Sequence, residues 1–345
     1  MPLRNKVGSE TAEASNYPFC TIDPNHGRVT VPDARLVTLA ELSKSAAVVS
    51  NSMEIVDVAG LIEGASKGLG LGNQFLSSIR ECHALIQVVR CFDDVDIHHV
   101  TGSVDPTRDA DTINLELVLA DLDMVEKRLA KKGKAPPAEK DVLARIADHL
   151  GEGEWVRSLE LADRDLEVLK EAQIPLLTTK PCIYAANVLE DDLADGNALV
   201  DKLREYAEQR GDGVIIVSAQ TEFELTDLTE TDRADMLEAL GAEEDRTGMK
   251  GLVAAAYTQL GLRTFYTSGE TESRAWTLEA GSTAPEAAGR IHTDLQRGFI
   301  KAETVAYEDV VAAGSLKAAK QAGKLRVEGK DYVVNDGDVM EFKFR

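Results

Sequence analysis

Residues Met53 to Leu76 read MEIVDVAGLIEGASKGLGLGNQFL, and the fold follows from how this stretch divides. Met53 to Val58 is a short apolar run rich in Val and Ile, the character of a buried parallel strand. Asp57, Val58, Ala59 and Gly60 stand at its carboxyl end, where open α/β sheets place their ligands. A carboxylate there can hold a magnesium-bound water, and the Gly60 amide can approach a terminal phosphate because no Cβ intervenes. Taken alone, the same residues suit a plain strand-to-loop turn. From Gly60 to Gly72 there are five glycines in thirteen positions, costly to order. That is either a flexible surface loop or a switch segment that orders around a phosphate.

Outward from this stretch, Ala84 to Val89, Pro181 to Ala186 and Gly213 to Val217 repeat the short apolar pattern and predict further parallel strands alternating with helices. At the ends of the last two stand Asn187, Val188, Leu189, Glu190 and Ser218, Ala219. Amide, carboxylate and backbone donors so clustered could read a purine edge, and each serves equally as a helix cap or turn. Ile113, Leu117, Ala120 and Met124 recur at helical spacing from near Asp111, and Val142, Leu143, Ile146 and Leu150 resume the stripe. The Pro136-Pro137 pair cannot sit inside a helix, so this insertion is a helical hairpin with its tip at 131–137. A third helix is predicted at Asp163 to Ala172.

From Leu262 the texture changes to strands at Thr264 to Thr267 and Ala275 to Leu278, a helix at Ala284 to Leu295, and a terminal hairpin. That hairpin would join Tyr332–Val334 to Val339–Phe344 through Asn335, Asp336, Gly337 and Asp338, residues that tolerate positive φ. One helix on a small mixed sheet makes an α+β module, with a domain boundary near Gly261.

The whole chain has 345 residues, 43% of them hydrophobic, and a net charge of −22. It is long enough for two or three domains with cores of their own, and its composition excludes disordered, collagen-like and disulfide-scaffold classes. Repulsion from phosphate backbones leaves nucleic acid only a local patch. Cys20, Cys82, Cys91 and Cys182 form no CxxC pair and have no His at metal-ligand spacing, which argues for reduced thiols and against structural zinc. No apolar run is long enough to span a membrane, and the first twenty residues carry no apolar signal core. The expected location is cytoplasmic, with organelle targeting left open.

Three tracts carry a resemblance: Asn16-Tyr17-Pro18-Phe19-Cys20-Thr21-Ile22-Asp23-Pro24-Asn25; the run from Asp57 through Gly64-Ala65-Ser66-Lys67-Gly68 and Gly70-Leu71-Gly72-Asn73 to Leu76; and Ala275-Trp276-Thr277 to Ile291-His292-Thr293-Asp294. They resemble the YchF, or Obg-like ATPase, family of P-loop NTPases over nearly the whole chain. The resemblance implies an α/β fold: a P-loop NTPase (G-domain) sheet over 1–111 and 176–261, a helical, coiled-coil-like hairpin insertion over 112–175, and a C-terminal β-grasp (TGS) α+β domain over 262–345. It implies Thr21 as the switch residue sensing Mg2+ and γ-phosphate, Asp57 as a magnesium ligand acting through water, and Gly60 as the γ-phosphate amide. Gly64, Gly68, Gly70 and Gly72 belong to the second switch, and Asn187 with Val188, Glu190, Ser218 and Ala219 to base recognition. The implied partners are ATP, the large ribosomal subunit, and RNA through the TGS domain, with no membrane. For that patch the sequence offers Arg263, Arg274, Arg290, Arg297 and Lys301, which suit a solvated face equally well.

Two departures bear on the chemistry. Most G proteins end the base motif in Asp, whose two oxygens accept from the guanine N1 and N2 donors; Glu190 is one methylene longer and loses that geometry. ATP is therefore expected over GTP, with both able to bind. Ras-type enzymes follow DxxG with a Gln that orients the attacking water, whereas this chain has Leu61, which can neither donate nor accept. The loop Ile97-His98-His99-Val100 offers two imidazoles, and the resemblance points to His99 as the catalytic one, the alternative being a surface histidine capping a loop.

No GxxxxGKS/T pattern occurs: Gly133-Lys134 is followed by Ala, Gly323-Lys324 by Leu and Gly329-Lys330 by Asp. Family members carry an apolar strand and this loop directly before the segment that here reads Leu3-Arg4-Asn5, so the sheet is expected to lack its first strand. Charge-assisted phosphate contacts contribute about 1.5 to 3 kcal/mol each. Losing four removes roughly 6 to 12 kcal/mol, on the order of four to eight decades of affinity. Lys67 cannot substitute, because it follows the wrong strand without a helix N-terminus behind it. The reading expects an N-terminal truncation; its alternative is a nucleotide-independent ribosome- or RNA-binding adaptor.

Overall fold

The structure, a computed structural model, describes residues 25–58, 71–94, 97, 99, 101–131, 136–243 and 246–345, with backbone alone for 71–74 and 230. In chain order the first elements are β1 (Asn25–Thr30), α1 (Ala34–Ser43), β2 (Ala47–Val49), β3 (Ser52–Asp57), α2 (Leu71–Glu81), β4 (Leu85–Arg90), α3 (Pro106–Ala130), α4 (Pro137–Gly151) and α5 (Asp163–Ala172). There follow β5 (Cys182–Asn187), α6 (Ala198–Gln209), β6 (Gly213–Val217), α7 (Ala219–Glu224), α8 (Glu230–Ala239) and α9 (Gly248–Gln259). The rest is β7 (Leu262–Ser268), β8 (Glu272–Glu279), α10 (Ala284–Ile291), α11 (Thr293–Arg297), β9 (Phe299–Ala306), α12 (Tyr307–Ala313), α13 (Leu316–Gln321), β10 (Arg326–Glu328) and β11 (Asp338–Phe344).

The described residues form two compact units, one from those within 25–27 and 55–252, the other from Arg28–Glu54 and Val253–Arg345. In the first, β4, β5 and β6 make a parallel sheet with Arg90 opposite Asn187 and Asn187 opposite Val217. Every residue of β5 is buried, as a central parallel strand covered on both faces requires. The strand bearing Asp57, β3, lies in a separate two-stranded sheet with β1, so the sheet is in two pieces.

In the helical hairpin, α3 begins at Pro106, ahead of the start expected near Asp111, and α4 opens at Pro137. Asp105 caps α3 by accepting from the Arg108 amide, and Pro106 and Pro137 open α3 and α4 where a missing N–H costs nothing. Leu117, Val142, Leu143, Ile146 and Leu150 share one hydrophobic core with Val89 of β4, Tyr184 of β5 and Leu203 of α6. Polar ties reinforce that packing. Asn114 accepts from Gln87 at 2.6 Å and donates to the hydroxyls of Tyr184 and Tyr206, each at 2.9 Å. Asp121, fully buried, accepts from the amide and hydroxyl of Thr178, both at 2.8 Å, and from Arg80 at 3.0 Å.

The second unit is larger than the sequence reading made it. Its sheet has six strands in the order β10-β9-β11-β7-β8-β2, and the sixth, β2, pairs parallel with β8. Side chains alternate between two apolar clusters. Phe265, Leu278 and Met340 pack with Ala284, Ala287 and Ala288 of α10. Tyr266, Ala275 and Val339 pack with Leu36 and Leu39 of α1, Val310 of α12 and Ala319 of α13. By packing, residues 28–54 group with Val253–Arg345 in this unit.

The terminal hairpin is corrected. Residues 332–334 form no strand, only an isolated bridge between Val333 and Thr283, and β11 pairs with β9 and β7 instead. Gly337 does take a positive φ of 90°, and its amide donates to the Thr264 carbonyl at 2.8 Å. The expected helix Ala284 to Leu295 breaks at His292, which caps α11. Among the described residues no helix is long and apolar enough to cross a membrane.

Candidate functional site

The parallel register brings three strand ends side by side, and the residues expected to recognise a base stand there. Asn187 ends β5, and its Oδ1 accepts from the Ala219 amide at 2.9 Å, tying β5 to the start of α7. The Val188 amide donates to the Val217 carbonyl at 2.9 Å, and the Cys91 amide to the Asn187 carbonyl at 2.8 Å. Ser218, wholly buried, caps α7 by accepting from the Thr221 amide and hydroxyl at 3.3 and 2.9 Å. Glu190 opens a single 3-10 turn with Asp191 and Asp192, half-buried, and no described residue donates to its carboxylate.

This geometry refines what Asn187 can do. Its Oδ1 is engaged by the Ala219 amide, so the group it offers a base is the Nδ2 donor, suited to the N7 acceptor that adenine and guanine share. Were a purine bound here, discrimination between adenine and guanine would fall on Glu190. A carboxylate there accepts from an exocyclic amine, and its extra methylene displaces it from the paired guanine donors.

Asp57 ends β3, half-buried. Thr21, Gly60, Gly64, Gly68 and Gly70 lie outside the described residues. Gly72 lies in the first turn of α2. Among the described residues no three His, Cys, Asp or Glu side chains cluster to hold a metal ion. A magnesium ion keeps most of its waters and uses one or two carboxylates plus substrate oxygens, a demand that Asp57 fits.

His99 lies on the loop after β4. Its Nδ1 is 2.9 Å from the Thr101 hydroxyl and accepts from the Thr101 amide at 3.3 Å. Its Nε2 is 2.9 Å from Asp109 Oδ2, although the N–H does not point straight at that oxygen. Both ring nitrogens are therefore engaged. Buried Cys91 neighbours the same carboxylate, and burial first, then Asp109, pushes its thiol up to about 12.

Sequence reasoning missed the clamp on this loop. Arg90 donates to the carbonyls of Phe92 at 3.0 Å, Ile97 at 2.9 Å and Asp94 at 3.3 Å, and stacks on the Phe92 ring. An Arg closing an apolar strand was the available signal. Asp109, seated in the first turn of α3 with Arg108 on its other oxygen at 2.8 Å, gave none.

Comparison with known proteins matches residues 3–127 to the model of the 50S ribosome-binding GTPases, and residues 262–345 to YchF-GTPase_C, described as a protein of unknown function (DUF933). The ribosome-binding ATPase YchF of Bacillus subtilis is 48% identical, covering 99% of this chain and 95% of its own. Obg-like ATPase 1 of Pongo abelii is 38% identical over 99% of this chain and 88% of its own. The structure of the Schizosaccharomyces pombe YchF GTPase superposes with a TM-score of 0.81 at 35% identity, covering 95% of this chain and 90% of that one. With this coverage at both levels, and a P-loop GTPase fold under the strand ends described, the chain belongs to the YchF or Obg-like ATPase family.

Proposed function

We propose that this chain is a YchF-type, ribosome-associated ATPase that hydrolyses ATP to ADP and phosphate with Mg2+ and accepts GTP less well. The observation that carries the reading is the base corner, where Asn187 is fixed by the Ala219 amide and Glu190 stands in place of the usual Asp. Asp57 would hold magnesium through a water. When bound, the ion supplies positive charge to the phosphate oxygens. With Leu61 inert, His99 is the group on this chain able to orient the attacking water. In family terms 1–111 and 176–261 make the nucleotide domain, 112–175 the helical arm and 262–345 the TGS module. That module, through exposed Arg290 and Arg297, would face ribosomal RNA of the large subunit.

The names of the relatives support the ATPase and ribosome readings, and a cytoplasmic location accords with them. Phosphate release is measured with Mg2+ and ATP on a version of the chain with a phosphate loop joined ahead of Leu3. Release abolished by EDTA, and reduced by more than about tenfold in His99→Ala, is expected for a residue orienting the water. A His99→Ala rate within twofold of the parent would remove His99 from the mechanism. The second reading, a nucleotide-independent adaptor, predicts unchanged ribosome co-sedimentation with or without ATP.

A further inference from the structure

A residue that orients a water must offer it a ring nitrogen, and His99 has neither to spare. Nδ1 faces Thr101, and Nε2 sits 2.9 Å from Asp109, with the imidazole only 17% exposed. Asp109 explains the second engagement. Its Oδ1 is taken by Arg108 Nε and Nη2 at 3.0 and 2.8 Å, and its buried Oδ2 has no hydrogen-bond partner among the described residues, the His99 Nε2 lying 2.9 Å away but out of line. A buried carboxylate oxygen left without a donor costs free energy, so the ring is drawn to it. The contact is off-line, and off-line contacts are weaker than aligned ones and easier to release.

The surroundings fix both ends of this contact. Arg108 also reaches back to the Ser103 hydroxyl and carbonyl, at 3.1 and 2.6 Å, binding the end of the His99 loop to the first turn of α3. Arg90 holds the start of the loop by three carbonyls. Between these two clamps His99 is stowed against the root of the long helix whose far end is the tip of the arm.

We propose that Asp109 is the positioning residue of His99: it holds the imidazole stowed, with both nitrogens engaged, and a shift of the α3 root relative to the loop frees the ring for the reaction. The proposal rests on His99 being the water-orienting residue. The stowed geometry itself is tested without nucleotide.

The folded chain as it stands is treated with diethyl pyrocarbonate, which acylates an accessible unprotonated imidazole nitrogen, and tandem mass spectrometry resolves His99 from His98. His292, whose side chain is 64% exposed, is the reference in the same molecule. The expected result is slow modification of His99 relative to His292 in the parent. Asp109→Ala raises it several-fold, and Asp109→Asn, which keeps an oxygen acceptor, raises it less, while His292 is unaffected. Cooperative thermal unfolding checks the fold of both variants, and Asp109→Asn carries the test if the alanine variant does not fold. Parent His99 reacting as fast as His292, or no rise in a folded Asp109 variant, overturns the proposal.

The kinetic arm uses the phosphate-loop-bearing version. Asp109→Ala is expected to raise kcat several-fold with KM unchanged, and the increase should vanish in the Asp109→Ala, His99→Ala double variant. A fall in kcat matching that of His99→Ala would make Asp109 an aligner of the active ring and overturn the stowing role. Labelling as expected with no hydrolysis in any version leaves the stowed contact standing and removes the ATPase reading instead.

Discussion

At the scale of single residues the account turns on hydrogen-bonding inventories. In the proposed function Asn187 donates to a group that both purines carry, so Glu190 would have to discriminate. Glu190→Asp restores the shorter carboxylate and should move the ATP-to-GTP preference toward GTP by about tenfold, about 1.4 kcal/mol. Competition of ATP and GTP for a fluorescent nucleotide on the substituted protein reads this directly. Asp121 has no exposed surface and serves three donors, two on Thr178 and one on Arg80. Asp121→Ala leaves Arg80 without its buried partner and should cost about 3 to 5 kcal/mol in urea unfolding.

Two buried thiols give a pH test. Burial raises Cys91 and Cys182 from 9.0 to about 12. A raised folded-state value means that the unfolded chain releases protons first, so stability is full below pH 9 and falls as pH rises from 9 toward 12. Thermal midpoints measured across that range should decline, and a Cys91→Ala, Cys182→Ala protein should show a shallower alkaline decline. Iodoacetamide at mild alkaline pH should spare both thiols in the folded protein.

At the scale of elements, α3 is fastened at its root and reaches outward. Asn114→Leu removes the partners of Gln87, Tyr184 and Tyr206 together, at about 1 to 3 kcal/mol for each buried group left unpaired. A lowered urea midpoint for the first unit, with the second unit's transition unchanged, is the expected result. The elements legible in the sequence were those written in one local pattern. Gly213 to Val217 and Asp163 to Ala172 match β6 and α5 residue for residue, because an apolar run and a helical pattern stopped by Pro175 need no distant partner to be recognised. The strand Phe299–Ala306 and the corrected 332–334 segment were not legible. Whether such residues pair is decided by β11 lying between β9 and β7, a long-range fact with no local signature.

At the scale of the whole molecule, 28–54 show the limit of reading along the chain. Leu36 and Leu39 look like any amphipathic helix, and nothing local says that they cover the sheet of a unit whose other residues begin at Val253. The site was legible in kind and incomplete in detail. Asn187 and Ala219 are joined by a hydrogen bond at neighbouring strand ends, whereas the proximity of Asp109 to His99 depends on a residue ten places later in the chain, in the first turn of α3. The net charge of −22 makes any ribosome contact local and salt-sensitive. Replacing exposed Arg290 and Arg297 with Ala should lower the slope of log affinity against log salt by about one to two in ribosome co-sedimentation.

The central claim is that the strand-end corner of this chain selects adenine nucleotides. Calorimetric titration of the phosphate-loop-bearing version with ATP and with GTP, both with Mg2+, tests it most directly. The account predicts tighter binding of ATP, with the difference lost or reversed in Glu190→Asp. Equal or tighter binding of GTP by the parent, unchanged in Glu190→Asp, would contradict it.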